Sequence, residues 1–123
     1  MNNLLFVFLG GGLGSIARYG ISEIVRYNFK SVFPTATLCS NIISCILLGL
    51  AVGIFYDKIG QNTPLRMLII IGFCGGFSTF STFSNDTLEL IQNNRMLEAL
   101  TNIFLNVTLC ILATFGGITL AKI

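Results

Sequence analysis

Gly72-Phe73-Cys74-Gly75-Gly76-Phe77-Ser78-Thr79-Phe80-Ser81-Thr82-Phe83-Ser84 is the stretch on which the reading turns. It closes an apolar segment, Leu65 to Phe83, of about 19 residues, which at ~1.5 Å per residue reaches roughly 28 Å, enough to cross a bilayer. Its second half is crowded with hydroxyls, and a Gly-Gly pair stands in the middle. Glycine tolerates dihedrals that other residues do not. Ser and Thr side chains can satisfy backbone groups that leave the helical ladder. The combination predicts a membrane helix that breaks mid-span. Irregular backbone at that depth is stable only where protein buries it or where it lines a wet cavity. Discontinuous helices are a common way to aim carbonyls at an ion.

The rest of the chain shares this character. It has 123 residues, of which 10% are charged, and a mean hydropathy of +0.84. Soluble domains carry about a quarter charged residues. The chain therefore reads as an all-α integral membrane protein with four crossings in a single transmembrane domain, at about residues 3–27, 33–55, 65–84 and 97–120. A net charge of +2, without a helix-turn-helix or RNP-like pattern, excludes nucleic acid as a partner. The four cysteines, Cys39, Cys45, Cys74 and Cys110, lie in apolar segments with no Cys-x-x-Cys, and read as small packing residues. There is no His, and no nucleophile–base pair is visible, so catalysis is not expected. The N-terminus lacks a basic leader and a cleavage site, and reads as the first span.

In that first span Gly10 and Gly14 stand one helical turn apart, a spacing for close helix packing. Arg18-Tyr19 ends the apolar run, either as an interfacial anchor or as an Arg that concentrates anions at a pore mouth. Glu23 to Lys30 reads as a short surface connection. Pro34 suits the first turn of the second span, where Thr37, Asn41 and Ser44 share one face. Asn41 stands near the centre of that helix and needs partners in hydrocarbon. It is either an interhelical bridge or a donor facing a pore, and the shared face favours the pore. Tyr56 to Pro64 reads as a polar loop carrying Asp57 and Lys58, and Asn85 to Glu98 as a polar connection. Phe80 and Phe83 lie on one face, and phenyl edges carry partial positive potential that can touch an anion without gripping it. In the fourth span Asn102, Asn106, Cys110 and Thr114 make a second polar stripe. Two stripes in one small bundle need each other or a water-filled path. No Asp or Glu is expected deep in a span, so amides, hydroxyls and aromatics make up the inventory. That set suits a small anion.

With four spans, the termini and central loop share a side carrying Lys58, Arg66 and Lys122, against Arg18, Arg26, Lys30 and Arg95 on the other. Such near-balance gives the positive-inside rule nothing to act on. Insertion in both orientations follows, and with it an antiparallel dual-topology dimer whose broken helices meet around one central cation.

The chain resembles the Fluc (CrcB) fluoride channels of bacteria over nearly its whole length. The likeness is carried by Gly11-Gly12-Leu13-Gly14-Ser15-Ile16-Ala17-Arg18-Tyr19, by Thr37-Leu38-Cys39-Ser40-Asn41, and above all by the stretch from Gly72 to Phe83. The resemblance implies a multi-pass protein of the bacterial plasma membrane, an antiparallel homodimer with two fluoride pores, passive fluoride export, and a structural, non-permeating Na⁺ at the dimer centre. It implies that backbone carbonyls of Gly75 and Ser78 hold the Na⁺. It makes Asn41 a pore amide and Phe80 and Phe83 the rings along the fluoride path, with Ser81 and Thr82 nearby. Thr37, Asn102, Asn106 and Arg18 complete the expected path. The family often has Tyr where this chain has Asn102, and more often Thr where it has Ser78. The competing readings are a small four-helix dual-topology exporter of drugs or cations, against which the missing membrane carboxylate argues, and a non-conducting assembly subunit. Pairing with a paralogue rather than with itself is a further variant.

Overall fold

The computed structural model describes residues 2–56 and 63–123. The expected loop residues Asp57 and Lys58 lie outside them. Every described element is helical: α1 (Asn2–Asn28), α2 (Thr35–Phe55), α3 (Pro64–Arg66), a π-helical stretch π1 (Met67–Cys74), α4 (Gly75–Phe77), α5 (Phe80–Gln92) and α6 (Met96–Ala121). Together they make four apolar crossings, α1, α2, the broken third from Pro64 to Gln92, and α6.

Two seams hold the bundle. In the first, α1 lies against π1 and α4. Gly10 faces the Leu68 carbonyl and Gly72, Gly14 faces the Phe73 carbonyl, and Gly76 faces Gly11. A methyl group at any of these positions would collide with backbone, so the helices meet main chain to main chain. In the second seam α2 lies along α6. Gly49 meets Gly117 and the Thr114 carbonyl there. The largest fully buried side chains among the described residues are polar: Asn102, Ser40 and Ser44. A bundle in lipid gains little from hiding apolar surface from other apolar surface, so its interior can hold hydrogen-bonding groups if they find partners.

The structure differs from the sequence reading in three places. The helix of α1 runs through the expected connection to Asn28, with an exposed Arg26–Glu23 ion pair at 3.2 Å on its last turns. The third crossing continues past residue 84 to Gln92. Its polar outer face read as loop, but Phe83, Thr87 and Leu90 are buried at helical spacing. Only Asn93–Arg95 connect it to α6, with Asn94 at φ 57°. The break itself lies at Ser78 and Thr79, whose backbones are extended. It does not fall on Gly75-Gly76, which are helical, with Gly75 at φ −65° and ψ −37°. Those glycines serve contact with α1 and open space, not the turn.

Candidate functional site

At the break, helical bonding stops and side chains replace it. The Thr79 N–H donates to Asn41 Oδ1 at 2.8 Å instead of to the Gly75 carbonyl. Asn41 Nδ2 returns a bond to the Thr79 carbonyl at 3.3 Å. The amide of Asn41 thus matches one peptide group as a neighbouring strand would. Thr79 Oγ1 accepts from the Thr82 N–H at 3.2 Å and caps α5. That bond takes the donor that a continuous helix would give to the Ser78 carbonyl. The carbonyls of Gly75 and Ser78 are therefore released together, and neither accepts a backbone hydrogen bond among the described residues. Gly75 also faces open space. Two unclaimed hard oxygens on one break fit a hard monovalent cation such as Na⁺. The Cys74 carbonyl, in contrast, is satisfied by Ser44 Oγ at 3.0 Å, Ser78 Oγ at 3.0 Å and the Ser78 N–H at 3.1 Å.

From Asn41 a one-way chain of donors runs into the bundle. Asn41 Nδ2 donates to Asn106 Oδ1 at 3.2 Å. Asn106 Nδ2 donates to Asn102 Oδ1 at 2.9 Å and to its carbonyl at 3.0 Å. Asn102 Nδ2 donates to Thr87 Oγ1 at 2.9 Å, and Thr87 to the Phe83 carbonyl at 2.8 Å. The two stripes read from the sequence meet each other, and Asn41 has both amide protons engaged. It positions the break while bordering the cavity on the Phe80 side.

One cavity, of about 290 Å³, is bounded by Asn41, Thr79, Phe80, Phe83, Asn106 and Cys110. The Phe80 and Phe83 rings tilt at 54° with centroids 5.4 Å apart. Phe83 is 8% exposed and Phe80 78%, so one ring belongs to the core and the other projects from the chain. Beyond Thr79 is a second cavity of about 180 Å³, where Arg18, Thr37, Ser40 and Thr82 gather. Arg18 Nε and Ser40 Oγ are both buried there without a hydrogen-bond partner. Ser40 is 0% exposed. A cation and an unpaired hydroxyl in one recess make it attractive to an anion. Ser81 is exposed on the first turn of α5, within 3.3 Å of Thr79 Oγ1.

Sequence reasoning missed three members. Thr79 was in the quoted motif, but nothing local marks it as the residue Asn41 reads. Thr87 is hidden in the segment taken for a loop. Asp86 lies in the same segment. It is half-buried within the third crossing and accepts from Thr37 Oγ1 at 2.6 Å. It lies towards the end of that crossing, in a recess shared with Phe33 and Pro34 and not deep in the span, so it does not decide the exporter alternative.

Comparison with known proteins addresses that alternative. Residues 5–118 match the family described as CrcB-like protein, Camphor Resistance (CrcB). A protein of Flavobacterium psychrophilum is 38% identical over 99% of this chain and 98% of its own length. One from Shewanella woodyi is 43% identical over 95% and 94%, and one from Phocaeicola vulgatus 39% over 99% and 100%. Each of the three carries the name fluoride-specific ion channel FluC.

Proposed function

Because the chain belongs to the CrcB-like family, a family of multi-pass bacterial membrane proteins that are ion channels and not enzymes, we propose that it is a fluoride-selective channel releasing fluoride passively from the cytoplasm. The observation that carries this reading is the Phe80–Phe83 ring pair set beside a helix break that Asn41 holds by hydrogen bonds. Phenyl edges offer an anion several moderate contacts, from which it can depart again. Fluoride binds water strongly, so a selective path has to replace that shell. Here the hydroxyls of Ser81 and Thr82 and the ring edges are the replacements, with Thr37, Asn41, Asn102 and Asn106 fixing the wall. Arg18 and Ser40 form the mouth.

Fluoride enters acid-exposed cells as the neutral weak acid and ionises inside. An interior-negative potential then favours its exit by about 2.3 kcal/mol per 100 mV, with no pump.

The working unit in this proposal is an antiparallel homodimer. The near-equal distribution of Lys and Arg supports it, as does Phe80, which is left projecting from a single chain. The freed carbonyls of Gly75 and Ser78 from each copy would hold one Na⁺, whose charge offsets oxygen dipoles that otherwise repel one another. The test is fluoride release from liposomes containing only this purified chain. Release of fluoride with retention of chloride is the expected result. Silent liposomes, or uptake of a cationic dye driven by protons, would reject it.

A further inference from the structure

Cys45 on α2 and Cys110 on α6 border the cavity that holds the phenyl pair. One turn before them Asn41 Nδ2 donates to Asn106 Oδ1 at 3.2 Å, so the register of α2 against α6 sets the two cysteines side by side. The closeness has a cause. One turn beyond Cys45, Gly49 brings α2 against the α6 backbone at Thr114 and Gly117. Neither thiol is fully enclosed, and Phe80, which borders the same cavity, is exposed.

We propose that Cys45 and Cys110 form a two-sulfur site for soft cations of linear preference, Hg²⁺ foremost, in the wall of the ion path. Thiol sulfur selects soft metals. Zinc would ask for four tetrahedral ligands, and no group of three or more His, Cys, Asp or Glu side chains gathers among the described residues. Hg²⁺ is content with two. Two S–H bonds break, two S–Hg bonds form, and two protons leave to water. The product is electrically neutral, so its formation in apolar surroundings leaves no buried charge. A metal so held fills the cavity beside Phe83 and Asn106 and obstructs anything passing there.

The site is tested apart from conduction. The full chain in detergent is treated with one equivalent of mercuric ion, washed and weighed. The expected gain is one mercury less two protons. Maleimide labelling of the metal-loaded chain after unfolding, followed by peptide mapping, should find Cys45 and Cys110 protected, with Cys39 and Cys74, the second of them buried in the folded chain, labelled as without metal. Cys45→Ser and Cys110→Ser should each lose the bound metal, whereas Cys39→Ser and Cys74→Ser keep it. In liposomes, mercuric ion should stop fluoride release, and a dithiol should restore it. Metal retained by both single variants, or protection at Cys74 in place of Cys110, would overturn the assignment. Peptide mapping uses the unaltered chain, so the result stands even if a variant fails to fold. Metal capture without any fluoride flux in the untreated chain would uphold the site and reject the channel reading.

Discussion

Both seams of this bundle use glycines for close approach, Gly49 and Gly117 in the second, but they part ways at the helix break. Where α1 meets π1 and α4, side chains are removed: Gly10, Gly14, Gly72 and Gly76 let backbone touch backbone. Where α2 and α6 meet the break, side chains are supplied, and Asn41, Asn106, Asn102 and Thr87 pass hydrogen bonds from one helix to the next. The first seam depends on shape and tolerates no added atom. The second depends on the direction of each donor and tolerates little change in polarity even at constant size. A mostly shape-driven seam gives a rigid base. A directional seam leaves particular carbonyls unclaimed, and the proposed function rests on that second seam.

Substitutions should separate the two. The largest effect is expected at the glycine seam. Gly14→Leu drives a side chain into the Phe73 carbonyl and the Phe77 N–H. Overpacking typically costs about 1–3 kcal/mol, and more against backbone. Little helical, monodisperse protein should be recovered on size exclusion. Next is Asn41→Asp, which is nearly isosteric but trades donors for an oxygen facing the Thr79 carbonyl and Asn106 Oδ1. Each buried group left unsatisfied costs about 1–3 kcal/mol. Fluoride release should be largely abolished, and thermal unfolding shifted downward. Full flux from this variant would mean the directional seam does not set the path. Phe80→Ile sharpens the contrast, because Phe80 is 78% exposed. It should abolish release with the melting temperature of the isolated chain nearly unmoved. Asn102→Ala cuts the donor chain at a side chain 1% exposed. A loss of about 1–3 kcal/mol is expected, with partial flux remaining. Smallest is Arg18→Gln, which removes only attraction at the mouth. Flux should fall by roughly tenfold or less at low salt, and the difference should shrink as ionic strength rises.

The sequence disclosed the four crossings because hydropathy is a sum over many residues and survives local error. It disclosed the two polar stripes because period 3.6 places Thr37 with Asn41 and Asn102 with Asn106 whatever their neighbours do. It announced a break but misplaced its cause. Gly75-Gly76 draws the eye, yet the residue that opens the ladder is Asn41, 38 positions away along the chain from the Thr79 it pairs with. No local pattern encodes that pairing. The same limit hid the Thr37–Asp86 bond, which spans 49 positions, and made an amphipathic turn at Asn85–Gln92 look like solvent-facing loop. Cys45 and Cys110 read as inert packing because their meeting depends on Gly49 and Gly117, a contact visible only in three dimensions.

The π-helical stretch Met67–Cys74 carries a consequence for length. Each of its turns spends more residues than an α turn would, so this crossing holds slack in its thread. Removing one residue there would let the coil tighten to α geometry and absorb the loss, leaving Pro64–Arg66 close to its present facing, while Ser78 and Thr79 stay where they are. A shortened cousin of this chain would therefore give up its residue upstream of the break, and spectroscopic labels on Arg66 and Thr82 would both hold still.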